Sequence, residues 1–229
     1  MSTETEHAHD RQAEQPLGDI IRFHGHMCPG LAMGIRASEI ALREIGPHSR
    51  DEDVVAVVET DMCAVDAIQY QTGCTFGKGN LIHLDHGKNA YTFLRRSDGR
   101  AIRIATRPGM MIRNPEHSEL MSKVREGTAT GEERERFAEL HEARSREILA
   151  AAEDELYDVR EVDGVEIAPR AFVHISIQCA ECGEPTMETR IGRFKGRELC
   201  PPCFAAAISG RRGAISIPGS RSDVAVTLR

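Results

Sequence analysis

The sequence predicts an α+β protein. Helices pack on an antiparallel sheet, and a helical arm and a treble-clef-like zinc finger follow. Three observations carry this expectation. Two helix-periodic segments come first. A β-branched run and three short strand candidates come next, divided by glycine-containing turns. Two cysteine pairs then close the sequence, C-A-E-C at 179–182 and C-P-P-C at 200–203. Helices ahead of a run of adjacent strands argue for segregated α and β layers.

Residues 1–15 are polar and acidic and read as a disordered tail, with His7 and His9 solvated. From Pro16 to His26, Leu17, Ile20, Ile21 and His24 share a helical face, and Gly25 to Gly30 breaks that helix. Leu31, Ile35, Ser38, Leu42 and Ile45 then recur at gaps of three and four, an amphipathic helix stopped at Gly46-Pro47. Asp53–Thr60 (DVVAVVET) reads as a buried strand. Ala64–Gln71 reads as a short helix, and Gly73–Asn80 as a glycine-rich loop. Leu81–His86, Ala90–Arg95 and Ala101–Ala105 form an expected meander, turning at Gly87-Lys88 and Asp98-Gly99. The α+β core is therefore expected over 16–108.

Residues 109–170 are expected as a charged helical arm and linker. Thr130 to Glu133 fits a capping box opening a long helix. Phe137, Leu140, Ile148 and Leu156 give that helix a thin apolar stripe, which reads as a solvated connection or as a dimer arm. The finger is expected over 171–212 and a flexible tail over 213–229.

Composition bounds the function. The chain has 229 residues, 40% of them hydrophobic, and a formal net charge of −7. It is too apolar for a disordered chain and lacks the overall basic character of most nucleic-acid binders. No apolar run approaches the roughly 18 residues of a membrane span. With no export signal read at the N-terminus, a cytoplasmic location is expected. Seven cysteines, an odd number, argue against a closed disulfide framework and for metal or thiolate chemistry.

Cys179, Cys182, Cys200 and Cys203 match a tetrahedral four-thiolate zinc site, with 17 residues between the pairs. A hairpin turning at Lys195-Gly196 and a helix from Phe204 to Ser209 complete a treble-clef pattern. So small a module needs the metal's binding energy to fold. Four sulfurs leave no open position, so the finger reads as structural or as a recognition surface. Arg190, Arg193, Lys195, Arg197, Arg211 and Arg212 make the segment locally basic.

A second constellation lies near the start. His24, His26 and Cys28 alternate ahead of Pro29-Gly30, and the opening amides of the next helix favour a Cys28 thiolate. Cys63 follows the strand 53–60, with Asp61 and Asp66 beside it. Such a mixed set leaves room for water or substrate, as catalytic metal sites do. The metal ligands expected here are His24, His26, Cys28 and Cys63, and the catalytic candidates are Cys28, Cys63 and Asp66. Lys78, in the glycine-rich loop, is the cofactor-binding candidate, although that loop departs from the P-loop spacing. Cys74 is either a packing residue or a redox partner of Cys63. His83 and His86 read as a half-exposed strand face.

The motifs F-H-G-H-M-C-P-G at 23–30, L-A-M-G opening the next helix, C-A-V-D-A-I-Q at 63–69 and G-C-T-F-G-K-G-N-L at 73–81 resemble the FmdE family of formylmethanofuran dehydrogenase proteins. The resemblance covers roughly residues 16–108 and the terminal finger. It implies an α+β core carrying the His/Cys site, a zinc finger and a homodimer. It also implies association with a molybdenum or tungsten C1 oxidoreductase, and the open ligand set beside the glycine-rich loop suits a small-molecule ligand. Matched positions are His24, His26, Cys28, Cys63, Asp66, Gln69 and Cys74. The alternatives are a non-catalytic finger protein that binds a partner or nucleic acid, and a zinc-dependent hydrolase with Asp66 or a histidine as base. Neither the residues nor the resemblance identifies a reaction.

Overall fold

The computed structural model describes residues 17–48, 52–110, 114–163 and 174–209, with two short strands at 215–216 and 225–226. The expected N-terminal tail with His7 and His9, most of the linker at 164–173, and Arg211 and Arg212 lie outside the described residues. Two compact units divide the chain, Met1–Ala171 and Phe172–Arg229.

The first unit is an α+β layer pair. Its helices are α1 (Leu17–His24), α2 (Pro29–Glu44), α3 (Ala64–Thr72), α4 (Pro115–Glu126), α5 (Gly131–Ala150) and α6 (Glu153–Leu156). Its strands are β1 (Val54–Val58), β2 (Leu81–His83), β3 (Ala90–Arg95), β4 (Ala101–Thr106) and β5 (Tyr157–Glu161). They form one sheet in the order β2-β1-β3-β4-β5.

The sheet corrects one expectation. β2 does not open a meander with β3; it pairs in parallel with β1, Ala56 opposite Leu81, and β1 also pairs antiparallel with β3, Ala56 opposite Phe93. β1 is apolar at every position, and a strand that can be covered on both faces belongs inside a sheet. β2 is also shorter than expected. After His83 the chain folds back, Leu84 donating to the Val58 carbonyl and Lys88 to the Glu59 carbonyl.

The expected core boundary at 108 is also corrected. β5 adds to the sheet edge beside β4, with Ile104 opposite Val159. Leu156 and Tyr157 are fully buried, and the Tyr157 hydroxyl donates to the Met33 carbonyl at 2.5 Å. The C-terminal half of α5 is no solvated connector. Its Ile148 joins the core formed by α2, β1, β3 and β4. The charged half was legible; Ile148, Leu156 and Tyr157 were too sparse a signal for the rest. The expected capping box is present, Thr130 Oγ1 accepting from the Glu133 amide at 3.2 Å and Glu133 accepting from the Thr130 amide at 2.9 Å.

α2 is the central helix, burying Leu31, Ala32, Met33, Ile35, Ala37 and Ile40. Each large apolar side chain so buried is worth about 1.5–3 kcal/mol. α2 and α3 approach very closely at Gly34. A Cβ there would lie 2.2 Å from the Ala64 carbonyl oxygen. This contact sets the spacing between the N-termini of the two helices, where the candidate site sits.

Over residues 174–209 the second unit forms two hairpins, a 3-10 turn at Glu188–Arg190 and a helix, and the short strands 215–216 and 225–226 pair antiparallel. β6 (Ser176–Gln178) pairs with β7 (Pro185–Met187), and β8 (Gly192–Phe194) with β9 (Arg197–Leu199). The β8–β9 turn has positive φ at both Lys195 and Gly196, the signature of a type I′ hairpin. Helix α7 (Pro201–Ser209) follows. Phe194 and Phe204 meet edge to face at 6.3 Å over the buried Leu199.

Candidate metal and thiolate centres

In the second unit, all four expected cysteines converge. Their sulfurs lie within 4.8 Å of one another, and Cys182 Sγ is 3.8 Å from Cys200 Sγ. Tetrahedral zinc with bonds near 2.3 Å requires sulfurs about 3.8 Å apart, so the donor set fits such an ion. Backbone amides prepare the site: Cys200 N–H donates to Cys179 Sγ at 3.3 Å. Burial alone would push the Cys179 thiol up, but amides from Cys182, Cys200 and Glu181 outweigh it and bring it down to about 6. Thiolate is the form a metal binds. The local basic patch is less free than its composition suggests. Arg193 pairs with Glu198 at 2.8 Å, and Arg197 pairs with Glu181.

In the first unit, three elements meet. α1 ends at His24, α2 begins after its N-cap Cys28, and α3 begins after its N-cap Cys63. His24, His26 and Cys28 offer donor atoms within 4.8 Å of one another. Cys28 is extended (φ −147°, ψ 161°), and its sulfur accepts from the Leu31 amide at 3.3 Å. Cys63, remote in sequence, arrives from β1. A Cβ on Gly30 would lie 3.7 Å from the Cys63 sulfur and 3.8 Å from the Cys28 sulfur. The two thiols influence each other's ionisation, and His24 favours negative charge on Cys63.

Asp66 sits one turn into α3 and holds His24. Its Oδ2 is 2.7 Å from His24 Nδ1. A carboxylate only accepts, so Nδ1 carries the proton and Nε2 faces Cys28 Sγ at 3.7 Å. This is the arrangement in which a carboxylate fixes the tautomer of a metal-binding imidazole. The His24 side chain is 10% exposed, while His26 and Met62 are exposed around it. Phe23 and Tyr70 pair at 5.6 Å beside the site.

Of the two thiols, Cys63 is drawn below its ordinary value and Cys28, which the helix-amide argument favours, is raised. The hydrogen bond from Cys28 lowers Cys63 most, and the charge and hydrogen bond of His24 add to that, bringing it to about 5. The same shared proton, with burial, raises Cys28. The Leu31 amide does stabilise negative charge on Cys28, but the partner sulfur and desolvation outweigh it.

Two other candidates separate from this centre. Cys74 is fully buried, its thiol donating to the Val54 carbonyl at 3.4 Å, so it is a packing residue and not a redox partner. The glycine-rich loop is no amide cradle for an anion. The amides of Thr75, Phe76, Lys78 and Gly79 donate to Asn80, Gln69, Thr75 and Phe76 within the loop and the adjacent α3. Lys78 itself is half-buried, with its sequence neighbours exposed. His86 is in the turn after β2, 3.1 Å from Glu59. Sequence reasoning missed the roles of Gly30 and Gly34, which let α3 close on α2. Their signal was present in the C-P-G and L-A-M-G runs.

The fold and these centres define an α+β protein with a core His/Cys cluster and a separate four-Cys finger. The profile of the family described as FmdE, molybdenum formylmethanofuran dehydrogenase operon, matches residues 23–158, which include α2, α3, strands β1 to β4 and the first two residues of β5. The chain belongs to the FmdE family. A curated relative from Archaeoglobus fulgidus is 36% identical over 216 residues, covering 88% of this chain and 56% of its own length, and is described as a probable S-adenosyl-L-methionine-binding protein. The chain thus spans about half the length of that relative. A crystal structure of a tungsten formylmethanofuran dehydrogenase FmdE-like protein from Syntrophus aciditrophicus shares the fold, with a TM-score of 0.53 and 23% identity, covering 83% of this chain and 90% of that one. Among the described residues, no helix is long and apolar enough to cross a membrane.

Proposed function

We propose that the chain is a two-metal protein whose core site, not its finger, does the work. His24, Cys28 and Cys63, with His26 at the open side, would hold a divalent transition metal. Asp66 orients His24, and the exposed rim admits a small ligand. The metal would supply Lewis acidity or a sulfur-bound docking point there. In the finger, zinc would be structural, because four thiolates complete its coordination. We propose that the protein acts as a cytoplasmic homodimer accessory to a molybdenum or tungsten C1 oxidoreductase, a reading supported by the family's description. The observation that carries the core site is the convergence of Cys28 and Cys63 at Gly30 beside an Asp66-anchored imidazole. Elemental analysis of the full chain tests it. Two metals per chain are expected, with Cys28→Ser and Cys63→Ser each losing one. Full metal content in both variants refutes it.

A second reading rests on the Archaeoglobus relative. S-adenosyl-L-methionine would bind at the same rim, where the Phe23–Tyr70 pair offers aromatic faces. Equilibrium dialysis with labelled S-adenosyl-L-methionine decides it: saturable binding lost in Tyr70→Ala supports this reading, and no binding ends it.

A further inference from the structure

The first unit carries a second recess, away from the cysteines. It is a cavity of about 510 Å³ at the end of the sheet where β3 begins and β4 ends. This size suits a compact small molecule. Lys88, Arg103 and Arg107 line it, with Ala105 and Pro108 as apolar wall. Ile102 and Ile104 face the helical core, so by strand alternation Arg103 lies on the opposite face of the sheet from α2 and α3. The His/Cys cluster is on the helical side.

Charge in this recess runs against the protein as a whole. The chain is net −7, yet three cationic side chains share one wall. Glu59 offsets only part of it. Its Oε1 takes Arg103 Nη2 at 2.6 Å, and its Oε2 is already engaged by His86 at 3.1 Å. Asp158, opposite Ala105 on β5, pairs with Arg160, and the charge of Arg107 also acts on it, offsetting part of the Arg107 charge. Arg107 spends its Nε on the Tyr157 carbonyl at 3.2 Å, which orients the guanidinium and leaves its outer nitrogens. Among the described residues, no ion pair links Lys88 or Arg107 to a carboxylate. In the same wall, the Thr106 hydroxyl oxygen is buried without a hydrogen-bond partner among the described residues.

We propose that this cavity is a binding site for an oxyanion, phosphate or carboxylate, carried on a small molecule with an apolar body. Lys88 and Arg107 bind the anion, Glu59 fixes Arg103 at its edge, and the alanine and proline wall covers the apolar part. Guanidinium nitrogens oriented by a backbone carbonyl are suited to oxyanion recognition.

The full chain is tested by calorimetric titration with phenyl phosphate, benzoate and neutral benzyl alcohol. At least one anion should bind saturably at one per chain, more weakly as salt rises, and the alcohol should not. Whichever anion binds more tightly identifies the head group. Lys88→Glu, on an exposed side chain, should weaken that anion by about tenfold or more, the effect of losing one charge-assisted contact. Arg107→Gln should weaken it too, with its fold checked by circular dichroism. Cys28→Ser should leave it unchanged, which separates this site from the core metal. Absence of saturable binding by both anions overturns the proposal. So does equal binding of the neutral alcohol, or unaltered affinity in Lys88→Glu.

Discussion

Replacing Gly34 with alanine tests how the core site is built. At an ordinary interior helix position this change is favourable by about 1 kcal/mol, because alanine is the better helix former. Gly34 is not ordinary. The added Cβ would sit 2.2 Å from the Ala64 carbonyl oxygen, 2.6 Å from its Cα and 2.8 Å from its carbonyl carbon. Comfortable separations are about 3.5–4 Å. All three obstructing atoms are backbone, so no side chain can swing aside, and α2 and α3 must part by about 1 Å or more. Overpacking of this kind costs roughly 1–3 kcal/mol. Taking its upper end against the propensity gain leaves a net loss of about 2 kcal/mol, which at typical slopes lowers the urea midpoint by about 1 M. Because Cys28 caps α2 and Cys63 caps α3, the same displacement separates the sulfurs and should weaken core metal binding. Urea unfolding and a competitive metal titration measure both effects. Gly18→Ala is the control, since its Cβ would meet only the Arg22 guanidinium at 3.6 Å, and its stability should hold or rise. A Gly34→Ala protein as stable as the parent would refute the close-approach argument.

The Cys63 thiol, held down at about 5, should remain alkylatable by iodoacetamide in metal-free protein well below neutrality, its rate falling only as pH drops through about 5. An ordinary thiol, with pKa near 8.5, would already have lost its reactivity by then. Mass mapping across pH checks this; a Cys63 profile centred above 8 contradicts it. Asp66→Asn removes the carboxylate that fixes His24 and should cut core metal affinity by about 10–100-fold while the finger keeps its metal. Unchanged affinity would show that the Asp66 contact does no positioning.

Much of this architecture could be read from residue patterns, for identifiable reasons. The finger was legible because both ligand pairs lie on tight local turns, and the positive φ at Lys195 and Gly196 falls where the sequence places its hairpin. Helix α2 was legible from its apolar spacing. Strand partners were not, because whether β2 lies beside β1 or β3 depends on burial of both faces of β1, which no local period encodes. The joining of β5 and the end of α5 to the core rests on Ile148, Leu156 and Tyr157, three residues in a charged stretch. In the core site, His24 and Cys28 were visible as neighbours, and Cys63 entered through its place after a strand. The opposite shifts of the two thiols were hidden, because they depend on burial and on the charge of neighbouring side chains that only the fold brings together.

The most direct measurement is anomalous diffraction from crystals of the full chain, at the absorption edges of the metals found by elemental analysis. Two peaks are predicted per chain, one enclosed by Cys179, Cys182, Cys200 and Cys203, the other contacting Cys28, Cys63 and His24. A peak in the finger alone, with Cys28 and Cys63 bare in metal-replete protein, would contradict the account.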